Sequence, residues 1–249
     1  LLAIKFEAVQ ANWTPVVSPK QGFHPLITLY HCMSARSFRP LWMLEELSLP
    51  YELKMLPFPP RSTQKAYLDI NPLGTVPALI DGQVRMTESA AICQYLASCP
   101  PGSTLDVSRG EVGYADYLNY LHFGEATLTF PQTLVLRYGR FESADRLLPT
   151  VADDYRKWFL SRLRSLEPVL SGQNYIAANR FTAADVSVGY ALLLAQYLEM
   201  RPRFTPAVEA YWERLQRRDG FARAMLAQTN AAVAQGISLV HAPESHPPG

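Results

Sequence analysis

The 249-residue chain is predicted to form an α/β unit around a mixed four-stranded sheet, followed by an all-α helical bundle. Three observations carry this. Residues 26–97 alternate β-prone and helical runs in the order βαβ then αββα. Residues 98–110 hold Pro100, Pro101, Gly102 and Gly110, which interrupt both patterns. Beyond them the apolar spacing is helical almost to the end. The expected division is an N-terminal extension over 1–25, an α/β domain over 26–99 and a linker over 100–109. A helical domain over 110–236 and a tail over 237–249 follow.

Leu26 to Tyr30 alternates and is β-prone, so it is predicted as a strand. Ser37 is placed to cap the next helix, with Pro40 tolerated in its first turn. Leu41, Leu44 and Leu47 recur at helical spacing, and Pro50 ends the run. Tyr51 to Leu56 alternates as a second strand, and 62–69 suggests a short helix. Val76 to Ile80 and Gln83 to Met86 flank Asp81-Gly82, a strong hairpin signal. Ser89 to Ala97 is helical.

In the second half, 112–138 is a long aromatic-rich helical stretch with an expected kink near Pro131. A second long helix is predicted over 151–170. Phe181 to Val186 reads as a helix start: Thr182 and Asp185 form a capping box, and Phe181 and Val186 its hydrophobic staple. Helices over 206–217 and 221–234 follow, and 241–249 is expected to fray.

Composition narrows the function. A net charge of +1 gives no reason to expect nucleic acid or an anionic membrane as partner. No apolar run approaches the roughly 20 residues of a membrane span. Cys32, Cys93 and Cys99 have neither CxxC nor metal-ligand spacing, so no metal site is expected, and they suit a reducing compartment. Residues 1–24 carry no apolar core of signal-peptide length and are read as an extension that packs on the surface or pairs with a neighbour.

The segment from Asn71 to Ser89 is the most informative. The residue before a proline is pushed toward extended geometry. A proline at a strand start brings no amide donor. A cis Val76-Pro77 bond would turn the Val76 amide and carbonyl toward a bound peptide. Glu88 and Ser89 stand where a helix opens, and free amides there attract a carboxylate.

Four motifs together resemble the cytosolic glutathione S-transferase family over about residues 26–228. They are Leu29-Tyr30-His31 through Ser37 into Leu44-Glu45-Glu46-Leu47, then Asn71-Pro72-Leu73-Gly74 with Val76-Pro77-Ala78-Leu79. Thr87-Glu88-Ser89 with Tyr95-Leu96, and Phe181-Thr182-Ala183-Ala184-Asp185, complete the set. The nearest likeness is a bacterial group with serine-type features. The resemblance implies a thioredoxin-like first domain, a helical second domain, a cytoplasmic homodimer and a role in detoxification. It implies glutathione as co-substrate and a small hydrophobic electrophile as its partner. The alternative is a non-catalytic adaptor or regulatory protein on the same fold.

The reaction implied is attack of the glutathione thiolate on the electrophile. A free thiol has a pKa near ~8.5, and lowering it by two units needs roughly 2.7 kcal/mol of preferential thiolate binding. Ser34 is the expected donor, because an ungapped count back from Pro50-Tyr51 places it at the family's catalytic serine or cysteine. Tyr30 and Ser37 compete for that role, and Arg36 is either a source of positive field at the thiolate or a solvated arginine. Cys32 lies two positions before the family's cysteine position and reads as a buried small residue.

For glutathione, Val76 and Pro77 are expected at the cysteinyl part, Glu88 on the γ-glutamyl ammonium, Ser89 on its carboxylate and Gln64 at the glycyl end. Thr75 departs from the family's pattern, in which many members carry a basic residue before the valine. The electrophile is expected between the domains, against Tyr120, His122, Phe123, Thr127 and Tyr138. Asp185 is read as structural.

Overall fold

The computed structural model describes residues 26–245, so the expected extension over 1–25 and the last residues of the tail, 246–249, lie outside the described residues. The sheet contains β1 (Ile27–His31), β2 (Tyr51–Met55), β3 (Ala78–Asp81) and β4 (Val84–Met86) in the order β2-β1-β3-β4. β1 and β2 are parallel, with Leu29 opposite Leu53, and the other pairs are antiparallel. The parallel pair requires a crossover, which α1 (Phe38–Leu47) supplies. Gly82 closes the hairpin at φ +59°, a conformation that costs glycine little.

β1 alternates between two faces. Ile27, Leu29 and His31 are buried, the first two in the core shared with α1 and α3 (Ser89–Ser98). Tyr30 points the other way and packs its ring 5.4 Å from that of Tyr67. Tyr67 belongs to a 3-10 turn, Lys65–Asp69, after the short α2 (Pro60–Thr63).

Ser37 stands before α1, but its side chain makes no cap bond. Its Oγ donates instead to His31 Nδ1 at 2.7 Å and accepts the Cys32 amide at 3.4 Å. The expected cap is therefore corrected: a buried imidazole competes for the hydroxyl.

The helical half contains α4 (Tyr114–His122), α5 (Phe130–Leu136), α6 (Pro149–Leu163), α7 (Glu167–Gly172), α8 (Ala183–Tyr197), α9 (Pro206–Gln216) and α10 (Asp219–Ala234). The long stretch expected over 112–138 is not a uniform α-helix. Phe123–Thr129 and Arg137–Phe141 are π-helical. The first of these ends two residues before Pro131, which has no amide to continue the α-helical ladder. The helix expected over 151–170 is likewise broken by a 3-10 turn at Arg164–Leu166, and Pro168 enters the first turn of α7.

α8 is the centre of the molecule, with Ala183 through Ala195 all buried. Its capping box forms as expected: Asp185 Oδ2 accepts from the Thr182 amide at 2.8 Å. Asp185 Oδ1 also accepts from the Ile176 amide and the Tyr211 hydroxyl, at 2.9 and 2.8 Å. Burial pushes the Asp185 carboxyl up to about 6, and these hydrogen bonds pull against it.

The two halves share one core. Trp42 of α1 lies 5.0 Å from Phe221 and 5.9 Å from Phe181, ring to ring. α8 comes so close that a Cβ on Gly189 would lie 2.8 Å from the Trp42 ring. Arg218 closes the junction with two 2.8 Å bonds to the Glu46 carboxylate.

The tail does not fray over its described part. The Ala242 amide donates to Met33 O at 2.8 Å, Ala242 is buried, and Arg140 donates to Pro243 O at 2.9 Å. The tail has apolar side chains to bury and backbone partners in the β1–α1 loop. Among the described residues, no helix is long and apolar enough to cross a membrane.

Candidate active site

A cavity of about 250 Å³ opens between the sheet domain and the helices. One wall is the β1–α1 loop, through Ala35 and Arg36, and the loops carrying Phe58–Arg61 and Gly74–Val76. The facing wall is helical: Thr129, Thr133, Leu136, Phe141, Tyr190 and Leu194. The tail adds Ala242 and Pro243. Apart from Arg36 and Arg61, no lining residue is charged.

Val76 lies where β3 has not yet begun, and the Val76-Pro77 bond is cis. Neither the Val76 amide nor its carbonyl has a backbone partner among the described residues. The approach to it is held by Thr75 O, which accepts from Tyr67 Oη and Asn71 Nδ2, each at 2.7 Å. Gly74 sits at φ +60°, and a Cβ there would lie 2.5 Å from Arg61 Cβ. A peptide backbone could pair with Val76 as an added strand edge.

Glu88 precedes α3 and is exposed, with no side-chain cap bond. Ser89 is buried, and its Oγ accepts from Arg39 Nη1 at 3.1 Å. Gln64 is exposed at the end of α2. Glu88, Ser89 and Gln64 are not on the cavity wall itself.

Ser89 is tied to that wall through buried charges. Arg39 is fully buried. Its Nη2 donates to Thr129 Oγ1 at 2.6 Å and to Gly124 O at 3.2 Å, and its Nε to Ser187 O at 3.2 Å. Arg39 Nη1 also pairs with Glu125, whose other oxygen lies 2.8 Å from Arg36 Nε. Burial alone would raise the Glu125 carboxyl. The charges of Arg39 and Arg36, with hydrogen bonds from Arg39 and Ser89, outweigh it and hold the carboxyl below its ordinary range.

The hydroxyl expected at the thiol is placed differently. Ser34 is buried at φ +52° and does not line the cavity. Its Oγ lies 2.9 Å from His241 Nδ1 and 3.1 Å from Tyr197 Oη, and accepts from Gln228 Nε2 at 3.2 Å. Its neighbour Ala35 takes the wall. Ser37 is turned to His31 and Tyr30 to Tyr67, so neither competitor reaches the cavity. Cys32 is fully buried, and burial pushes its thiol up to about 12, so it stays neutral.

The residues expected at the electrophile lie off this cavity wall. Tyr120 lines a separate groove with Asp116, Val169 and Ile176, and Phe123 packs against Tyr120 at 5.9 Å. Tyr138 sits beneath the Arg137 guanidinium, 5.6 Å away. His122 and Thr127 are also off the cavity wall. Thr129, the last residue of the π-helical segment, and Thr133 and Leu136 of α5 face the cavity instead.

Sequence reasoning missed Arg39, Glu125, Thr133, Gln228 and His241. Arg39 had a signal: it stands three residues before Trp42 and four before Met43, a charge on an apolar helix face. Gln228 and His241 had none, since their partners lie about 200 residues away.

A thioredoxin-like sheet domain with an open backbone edge at Val76, facing a cavity closed by a helical domain, defines the class of protein. Comparison agrees. Residues 33–99 match the family profile described as "Glutathione S-transferase, N-terminal domain". The chain is 28% identical to glutathione S-transferase 3 of Schizosaccharomyces pombe, over 71% of this chain and 78% of that one. It is 30% identical to glutathione S-transferase 3 of Zea mays, over 66% of this chain and 76% of that one. A sphingomonad glutathione S-transferase solved with glutathione is 25% identical and superposes with a TM-score of 0.71, covering 81% of this chain and 98% of that one. The chain belongs to the glutathione S-transferase family.

Proposed function

We propose that this protein is a glutathione transferase that binds glutathione beside Val76 and directs its thiolate at a small hydrophobic electrophile in the interdomain cavity. The observation that carries this is the open Val76 backbone edge on a cavity that also holds Arg36. A cysteinyl backbone paired there brings its sulfur to the wall formed by Ala35 and Arg36. Leu136, Phe141, Leu194 and Pro243 then offer the electrophile an apolar surface.

In this reading Pro77 supports the Val76 edge. Glu88, exposed and free of capping duty, takes the γ-glutamyl ammonium, and the Ser89 amide at the start of α3 takes the carboxylate. Gln64 and Arg61 are near the glycyl end. Glutathione held in the sphingomonad relative supports the assignment. By the same reading the protein acts in detoxification, in the cytoplasm and as a homodimer.

Calorimetric titration with glutathione and with S-methylglutathione tests the site. Both are expected to saturate at one site per subunit, and Glu88→Ala is expected to weaken both without loss of fold. No binding of either ligand at several millimolar would refute the assignment.

A further inference from the structure

We propose that the Arg36 guanidinium, rather than a hydroxyl, stabilises the glutathione thiolate in this protein; the inference rests on the glutathione site assigned above.

The first support is the disposition of the hydroxyls. Ser34 and Ser37 point away from the cavity, and Ala35 between them brings only a methyl group. The hydroxyls on the helical wall direct their protons to carbonyls. Thr129 donates to Gly124 O at 2.7 Å, Thr133 to Thr129 O at 3.2 Å and Tyr190 to Ser34 O at 3.4 Å. The remaining one, Thr75, is exposed and accepts from Asn71 Nδ2 at 3.3 Å.

The second support is charge. Arg36 and Arg39 share the single carboxylate of Glu125. Arg39 is consumed by its buried partners, so the group of three retains one positive charge, and Arg36 is the member on the cavity wall. Arg36 Nε is 2.8 Å from Glu125 Oε1 but outside hydrogen-bond alignment, so that pair is a charge contact. Nη2 donates to Thr133 Oγ1 at 2.8 Å, which fixes the plane of the guanidinium, and Nη1 has no partner among the described residues.

A guanidinium stays protonated at any working pH, so it acts as a fixed charge and not as a base. The S–H proton leaves to water at the mouth of the cavity, and the sulfur retains the electron pair. An opposite charge within hydrogen-bonding range lowers a thiol pKa without need of a hydroxyl.

The test compares Arg36→Met and Arg36→Lys with the parent protein. Thiolate absorbance of bound glutathione is followed against pH, and S-methylglutathione affinity is measured in parallel. Arg36→Met is expected to raise the bound thiol pKa by about one unit, a tenfold loss of thiolate below the pKa. Arg36→Lys is expected to recover most of it, with S-methylglutathione affinity retained in both. An unchanged thiol pKa in Arg36→Met that still binds S-methylglutathione overturns the proposal. Failure of the parent protein to bind S-methylglutathione instead refutes the site, and the proposal with it. If Arg36→Met does not fold, Glu125→Gln decides: removing the shared negative charge is expected to lower the thiol pKa, and no change or a rise overturns the role of Arg36.

Discussion

His31 Nε2 donates to Gln228 Oε1 across 3.0 Å, joining the first strand to the last helix over 197 residues of sequence. The same Gln228 oxygen accepts the Ser34 amide at 2.9 Å, and Ser37 Oγ sits on Nδ1. This network assigns a neutral imidazole with its proton on Nε2. Burial lowers the His31 pKa from 6.5 to about 4, against the bond His31 donates to Gln228 and its interaction with the Ser37 backbone.

That depression has a sign. Between about 4 and 6.5 the unfolded chain binds a proton at His31 and the native protein does not. The stability contributed by neutral His31 is present above 6.5 and is lost as pH falls toward about 4, by about 3 kcal/mol. Asp185 acts oppositely: its raised pKa favours the native state below 3.8, and that benefit is lost as pH rises through about 6. His31→Asn separates the two. In denaturant unfolding, its stability deficit against the parent is expected to shrink by about 3 kcal/mol between pH 7 and pH 4. A deficit constant over that window would mean that native His31 takes up its proton at the same pH as in the unfolded chain, and burial does not depress it.

Ser34→Ala is expected to act on stability and not on the thiol. Its loss strips a buried partner from Gln228, Tyr197 and His241, at about 1–3 kcal/mol. The pKa of bound glutathione should stay where it is. A raised thiol pKa in this variant would return the donor role to Ser34.

Asp185→Ala should cost more than a lost cap. The cap accounts for about 0.5–2 kcal/mol, and the Ile176 amide and Tyr211 hydroxyl would be left buried without an acceptor. A total near ~3 kcal/mol or above is expected, against about 1 kcal/mol for Tyr211→Phe. Chemical denaturation reads both, and equal losses in the two variants would contradict the shared role of the carboxylate.

Gly124→Ala tests the contact of the first π-helical segment with α8. A Cβ there would lie 2.5 Å from the Ser187 carbonyl carbon, and backbone does not yield as a side-chain end does. Overpacking of this kind costs about 1–3 kcal/mol. Because Glu125 is the next residue, moving its carboxylate away from Arg36 should lower the bound thiol pKa together with the stability. Thermal unfolding indistinguishable from the parent would show that the helices separate freely.

The features legible in the sequence are those whose causes are local. The βαβ and αββα order follows from apolar spacing and from the turns at Pro50 and Asp81-Gly82. The Thr182–Asp185 box lies within a single helical turn. The Val76-Pro77 edge shows as a motif because its neighbours Asn71 and Gly74 shape it from a few residues away. Tyr120 packs with Phe123 and Tyr138 with Arg137, and helical spacing does not reveal which aromatic faces the cavity, because that depends on how the helices dock against the sheet domain.

By itself, then, the sequence determined the two-part architecture and the place where a peptide edge stands open, since short-range sterics and hydrogen bonds decide both. Tertiary structure alone decided which polar groups face the cavity. Ser34 is drawn to Gln228 and His241, and Arg36 is held out by Thr133 and by a carboxylate it shares with Arg39. Such choices depend on which partners distant segments bring, because a buried polar group must be satisfied wherever a partner lies.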